Sequence, residues 1–268
     1  MSRHRVRPGS HVRLARIDPG DTGGHRDEEA AREQLVADIE RLAKLQDRLY
    51  AECRHAVLVV LQGLDTAGKD GTVKHVMRGL NPSACEVVPF KVPTAEEAAH
   101  DFLWRAHRAA PRRGHITIFN RSHYEDVLVP RVHRTVPRKV VKARYEQITA
   151  FERILAQNGT RILKFYLHIS KAEQARRLRE RLADPEKVWK FDEHDLAERK
   201  RWDDYIAAYE KLLRRCSTDQ APWYIVPANK KWYRNLVVAA TLRRALEDLH
   251  PVYPPPRLPP ARRRALRI

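Results

Sequence analysis

Three cysteines in 268 residues, Cys53, Cys85 and Cys216, are too few and too scattered for a disulfide framework or a thiolate metal site. They fit reduced thiols in a cytoplasmic protein. No apolar run approaches the length of a membrane span. The basic N-terminus lacks the apolar segment of a secretory signal. Aromatic residues are only 7% of the chain, and no zinc-finger or RNA-recognition signature accompanies them, which counts against a specific nucleic-acid reader. No internal repeat is visible, which excludes a solenoid. Acid is scarce beside base: 34 Asp+Glu face 52 Lys+Arg, for a formal charge of +18 and a pI near 10.2. That field calls for an anionic partner, and at this level nucleic acid, an acidic membrane and a polyanionic substrate all qualify. Hydrophobic residues at 43% supply a core, enough for one large α/β domain or two small ones.

The chain is organised around the stretch 57–72. Val57 to Leu61 is an apolar run of buried-strand length. The sequence turns through Gly63 and Gly68, meets Lys69 at once, and continues as a helix with Val73, Val76 and Met77 on one face. Strand, glycine turn, lysine and helix in this order make a phosphate-binding loop. Its backbone N–H groups and the helix N-terminus face an anion. Lys69 would reach the phosphate oxygens, with Gly63, Ala67, Gly68, Asp70 and Gly71 forming the cradle. The hydroxyl that normally follows the lysine and holds Mg²⁺ is missing. Asp70 stands there, and Thr72 comes two places later. The carboxylates of Asp65 and Asp70 are available to a metal instead. A plain glycine turn between strand and helix is the competing explanation, and it leaves Lys69 without a purpose.

Helical and strand patterns alternate through the rest. Helices are expected over Asp27 to Cys53, Thr94 to Ala109, Pro137 to Gln157, from the Ser170 cap to Asp184, over Glu193 to Arg215 and over Trp232 to Leu249. Strands are expected at Glu86–Val88, His115–Phe119, Arg161–Ile169 and Trp223–Val226. This alternation predicts an α/β fold with a parallel sheet and helices on both faces. The segment Asn120-Arg121-Ser122-His123-Tyr124-Glu125-Asp126 follows one strand directly, which places it beside the phosphate loop. Asn120 stands where a metal-supporting Asp is usual, and Arg121 is placed to touch a phosphate. The helix after Ser170 carries Arg176, Arg177, Arg179 and Arg181, and it reads as a lid over the loop. A solvated basic helix face is the alternative. Residues 1–26 read as an irregular basic arm, in effect a solvated tail. Residues 27–250 read as one phosphotransferase domain with its lid at about 171–200, and 251–268 as a Pro/Arg-rich tail.

Several segments together resemble the polyphosphate kinase 2 family. They are Gly63 to Thr72, Phe119 to Leu128, His100-Asp101-Phe102-Leu103-Trp104-Arg105, Asp184 to Phe191, Trp202-Asp203-Asp204-Tyr205 and Ala221-Pro222-Trp223-Tyr224. The resemblance runs from about residue 30 to 250. It implies a P-loop kinase fold of the thymidylate kinase type, three αβα layers with a parallel central sheet and a helical lid. It implies phosphoryl transfer between inorganic polyphosphate and purine nucleotides, with Mg²⁺ and with Mn²⁺ as second choice, in a cytoplasmic homo-oligomer. No membrane or specific nucleic-acid partner is expected. By motif position the polyphosphate is held by Lys69, Arg177 and Arg181. The nucleotide is assigned to Arg121, Asn120 and Glu125, and the metal to Asp65 and Glu125. The catalytic set is Asp65, Lys69, Arg121 and Arg177. Asn120 followed by Tyr124-Glu125-Asp126 resembles the branch that accepts AMP as well as ADP. Two rivals stand beside this reading: an ATP-dependent P-loop kinase of a small molecule, and a basic nucleic-acid binder with a vestigial P-loop.

Overall fold

The fold is taken from a computed structural model, which describes residues 2–259 together with 262, 263 and 266. Among the described residues one sheet contains β1 (Ala56–Gln62), β2 (Cys85–Pro89), β3 (Ile116–Asn120), β4 (Thr160–His168) and β5 (Trp223–Pro227), all parallel, in the order β2-β3-β1-β4-β5. β1 is buried along its whole length, as a central strand of Ala-Val-Leu-Val-Val-Leu-Gln must be. Chain order reverses direction at β1, with β3 on one side and β4 on the other. A crevice therefore opens at the carboxyl ends of these three strands.

The helices are α1 (Glu28–Glu52), α2 (Lys69–Val76), α3 (Ala95–Ala98), α4 (Trp104–Arg108), α5 (Glu125–His133), α6 (Arg138–Gln157), α7 (Lys171–Ala183), α8 (Glu193–Lys200), α9 (Trp202–Cys216) and α10 (Lys231–Glu247). Leu42, Leu45 and Leu49 of α1, with Val238 and Leu242 of α10, cover one face of the sheet through Val57, Val59 and Leu61. Phe151 of α6 and Leu212 of α9 cover the other through Leu58 and Val60. Alternate side chains of β1 thus feed two separate cores, which is the layered α/β arrangement expected.

Three expectations are corrected. The helix expected over Thr94 to Ala109 is broken, because the Asp101 carboxylate accepts from the backbone N–H of Leu103 (2.9 Å) and starts α4 as a new turn. The helix expected over Glu193 to Arg215 breaks at Arg201, and α9 opens with Asp203 and Asp204 in its first turn, where the helix dipole favours them. The N-terminal arm is not a solvated tail. Val6 N–H donates to Trp223 O (2.8 Å), Ser217 Oγ donates to Val6 O (2.7 Å), and Val6 and Leu14 are buried. The tail expected beyond 251 lies partly outside the described residues.

A charged cluster sits beneath the sheet on the α6–α9 side. Lys164 of β4 is fully buried and donates to Glu152 Oε2 (2.5 Å), Tyr124 Oη (2.9 Å) and Cys216 O (2.7 Å). Tyr124 in turn donates to Glu152 Oε1 (2.7 Å). Burial alone would raise the Glu152 pKa, but the Lys164 ammonium beside it wins and holds the carboxyl below its usual range. Breaking a buried pair from one side is strongly destabilising. Glu152→Ala is therefore expected to cost about 3–5 kcal/mol and to lower Tm by on the order of 10 °C. Calorimetry checks this, and an unchanged Tm would refute it.

Candidate active site

β1 delivers the chain into the crevice at Gly63. A Cβ there would meet Ala67 Cβ at 2.9 Å and Leu167 O at 3.0 Å, so the turn has no room for a side chain. At Gly68 φ is +102°, and a Cβ would lie 1.9 Å from Arg234 Nη1. Between them Thr66 adopts φ +62° with its buried Oγ1 lacking any protein partner. A positive φ on a β-branched residue is strained. An unpartnered buried hydroxyl is equally costly unless a ligand meets it. Both features suit a loop shaped around an anion.

Lys69 opens α2. Its ammonium folds back and donates to Gly63 O (2.7 Å) and Leu64 O (3.3 Å), so it rests on the loop's own carbonyls. Burial lowers its pKa to about 8, and Arg121 pushes the same way against Asp65, Glu125 and Asp70. Lys69 must carry its proton to hold a phosphate. We therefore expect kcat/KM for the phosphate donor to fall above pH 8, by about tenfold per pH unit for a single essential proton. A pH–rate profile reads this directly. A profile flat to pH 10 would exclude Lys69 as the group that binds the donor.

Arg121 follows β3 with φ +63° and turns back onto β1, its N–H donating to Leu61 O (3.0 Å). Its guanidinium lies 2.7 Å from Asp65 and 3.7 Å from Glu125. Arg121, assigned to the nucleotide from sequence, thus lies against both Asp65 and Glu125, the two residues assigned to the metal. Burial would raise the Asp65 pKa, yet Lys69 and Arg121 together bring it below the usual carboxylate range. Glu125 is the reverse case: its burial outweighs Arg121 and Lys69, and its pKa is raised. Asn120 Nδ2 donates to Asp70 Oδ1 (2.7 Å), tying the end of β3 to the first turn of α2. Thr72 Oγ1 folds back along α2 and donates to Gly68 O (3.0 Å), so the late hydroxyl is engaged by the backbone.

The two lid arginines are placed differently from the expectation. Arg177 is buried beneath the loop, not over it. It donates to Thr66 O (2.9 Å), Ala67 O (3.2 Å), Ala228 O (2.6 Å), Asn229 O (3.1 Å) and Glu173 Oε1 (2.7 Å). A guanidinium has five N–H groups, and these contacts engage all of them. Arg181 stays within the lid, donating to Lys190 O and Asp195 Oδ2, both at 3.1 Å.

Three further residues were missed from sequence. Arg234 of α10 is 2% exposed, lies against Gly68 and Gly71, and among the described residues donates to Asn235 Oδ1 and the carbonyl of Ala67. Burial and the neighbouring Arg177 lower its pKa to about 9. A cation in the first turn of a largely buried helix, just before the apolar run from Leu236 to Ala240, was the available signal. Gln174 donates to Asp65 O (3.1 Å), and Arg199 donates to Gln174 Oε1 (2.8 Å), so α7 and α8 together brace the loop. Neither residue has a sequence signature.

The crevice encloses about 560 Å³, a size ordinary for a small-molecule site. Asp65, Arg121 and Glu125 form its floor, Phe90 and Arg105 one wall, and Asp195 and Tyr205 from the lid side another. A parallel sheet, a lysine-led loop at the reversal of strand order and a helical lid define a P-loop kinase-type phosphotransferase. The family described as Polyphosphate kinase 2 (PPK2) matches residues 25–252, and the chain belongs to that family. It is 53% identical over 257 residues to the AMP/ADP-polyphosphate phosphotransferase of Meiothermus ruber, covering 96% of both chains. It is 44% identical over 274 residues to the ADP-polyphosphate phosphotransferase of Rhodopseudomonas palustris, covering 98% of this chain and 94% of that one. The crystal structure of Polyphosphate Kinase 2 from Arthrobacter aurescens superposes with a TM-score of 0.94 at 43% identity, over 97% of this chain and 94% of the other. Among the described residues no helix is long and apolar enough to cross a membrane.

Proposed function

We propose that this chain moves phosphoryl groups between inorganic polyphosphate and purine nucleotides, raising AMP to ADP and ADP to ATP, with Mg²⁺ as the metal. One observation carries the reading. Asp65, Arg121 and Glu125 line one crevice, Lys69 interacts electrostatically with all three, the adjoining loop holds an unpartnered hydroxyl at Thr66, and the two carboxylates are shifted in opposite directions. The acceptor in such a transfer is a phosphate oxygen, already ionised near neutral pH. No strong general base is needed, and the barrier is repulsion between two polyanions.

The residues divide the work accordingly. Lys69 leaves the carbonyls of Gly63 and Leu64 for the phosphate that enters the loop. The N–H groups of the loop from Gly63 to Gly71, with the N-terminus of α2, cradle that phosphate. Arg121 exchanges its bonds to Asp65 and Glu125 for the nucleotide phosphates. Asn120 positions Asp70 at the mouth of the loop. Arg177 and Arg234 hold the loop from behind and add positive potential without touching substrate. Arg181 is the lid cation free to approach the transferred group once it releases Asp195.

The metal fits this floor. Among the described residues no cluster of three or more His, Cys, Asp or Glu forms a cage, and Mg²⁺ at phosphates takes one or two carboxylates plus substrate oxygens. Asp65, held ionised, and Glu125, whose buried charge gains from a cation, are the pair that would hold it. When bound it neutralises charge between donor and acceptor phosphates.

The test offers AMP, ADP and GDP in turn, each with polyphosphate and Mg²⁺, and separates the nucleotides. ATP formed from AMP through ADP supports the full reading. Triphosphate formed only from diphosphates removes AMP from the substrates. No product from any acceptor, with folded protein, rejects the proposal.

A further inference from the structure

A second hollow, of about 660 Å³, lies on the outer side of α5. Its cations are Arg131 and Arg134 from the end of α5, Arg138 and Lys142 from the first turns of α6, and Lys211 and Arg215 from α9. None of the six has an ion-pair or hydrogen-bond partner among the described residues, and the hollow's one lining carboxylate is Asp204. The cations feel one another. Burial lowers the Lys211 pKa, and Arg215, Arg131, Arg214 and Lys142 lower it further. Unpaired like charges drawn together across three helices destabilise a fold unless something anionic joins them.

Two other observations point the same way. The N-terminus of α6 faces this hollow through Val136, Pro137 and Arg138, has no side-chain cap, and carries no acid in its first turn. Placing Arg138, Lys139 and Lys142 at the positive end of a 20-residue helix is unfavourable by dipole and by charge. Tyr145, on the same helix, lines the hollow, is 3% exposed, and its Oη is buried with no partner. Burial raises its pKa to about 12, so it stays a phenol and offers a donor. A cation cluster, free helix N–H groups and an idle hydroxyl form a complete anion site.

We propose that this hollow is a docking site for an inorganic phosphate chain, gripping a stretch of polyphosphate remote from its reacting end. This rests on the function proposed above. Pro130 of α5 lines both this hollow and the crevice, so only the last turn of that helix separates the two. A long chain gains from both sites through effective concentration, whereas a short chain occupies the crevice alone. The site therefore selects for chain length. It does not alter the chemical step, because none of its residues faces Lys69 or Arg121.

The experiment compares wild type with the triple variant Arg138→Gln/Lys142→Gln/Lys211→Gln, using long-chain polyphosphate and inorganic tetraphosphate as donors. The expected result is a tenfold or larger rise in KM for the long chain. KM for tetraphosphate, KM for ADP and kcat should stay within about twofold. Tyr145→Phe should raise the long-chain KM by a smaller factor at unchanged Tm. Equal KM changes for both donors, or none for either, would overturn the proposal. A thermal shift with long-chain polyphosphate, read without nucleotide, separates the two claims. A wild type that shifts where the triple variant does not supports the docking site even if no phosphoryl transfer occurs. A shift lost for ADP or for a single-stranded oligonucleotide, but kept for polyphosphate, assigns the hollow to another ligand and overturns it. Removing unpaired cations should also raise the variant's Tm without ligand, and a lower Tm would mean that they serve the fold.

Discussion

Lys69→Met is expected to lower kcat by about 10³-fold, the scale seen when one preorganised charged donor is removed from a transition state, while the protein becomes no less stable. The second half follows from the first. Lys69 is buried at the start of α2, and its charged form is penalised there, as its pKa near 8 against an ordinary 10.5 shows. That displacement amounts to roughly 3 kcal/mol against the ammonium at neutral pH, offset in part by its bonds to Gly63 O and Leu64 O. The unfolded chain keeps this proton up to about pH 10.5 and the folded chain only to about 8. The unfolded state binds more protons in between, so this group makes the fold more stable as pH rises through that window. Methionine removes both the charge and the pH dependence. Paired measurements of kcat and of Tm between pH 7 and 10 check the two halves together. A variant that loses activity only because it unfolds would refute the assignment.

Arg177→Ala should lower both stability and activity, by about 3–5 kcal/mol and on the order of 100-fold in kcat. Alanine leaves the carbonyls of Thr66, Ala67, Ala228 and Asn229 without their donor and Glu173 without its i+4 partner. It thereby loosens the loop that holds the phosphate. Arg177→Lys should recover little of either quantity, since one ammonium cannot reproduce a planar fork across several acceptors. A substrate-binding lid arginine behaves otherwise: its alanine variant loses affinity for the phosphate donor at unchanged Tm. Denaturant melts beside steady-state kinetics distinguish the two, and an unchanged midpoint would return Arg177 to the lid role that its sequence position suggests.

That difference marks where sequence stops being informative. The central strand, the glycine turn and Lys69 lie within sixteen consecutive residues, so local pattern sufficed for them. That Asp65, Arg121 and Glu125 lie near one another was legible because parallel-sheet topology brings the end of β3 beside the end of β1. Arg177 was legible as a basic residue on a helix after β4, but not the direction in which it faces. Its i, i+4 relation to Arg181 puts both on one side of α7, yet one reaches the loop carbonyls and the other Asp195. Helix α5 was not anticipated, because Pro130 interrupts a segment of only nine residues. The docking of the arm escaped for a similar reason: Val6 and Leu14 are isolated among arginines, and their burial depends on strand β5 and helix α9, which lie some two hundred residues away. Arg234 lies against Gly68 and Gly71 across a separation nearly as long, and no local pattern encodes such a contact.

The most direct test of the account mixes the protein with ADP, Mg²⁺ and polyphosphate in the absence of ATP. Phosphorus NMR then follows the phosphates in wild type and in Lys69→Met. Wild type is expected to produce the γ-phosphate resonance of ATP as polyphosphate is consumed, and the variant, folded, almost none. Transfer at wild-type rate in Lys69→Met, or none in wild type, would contradict it.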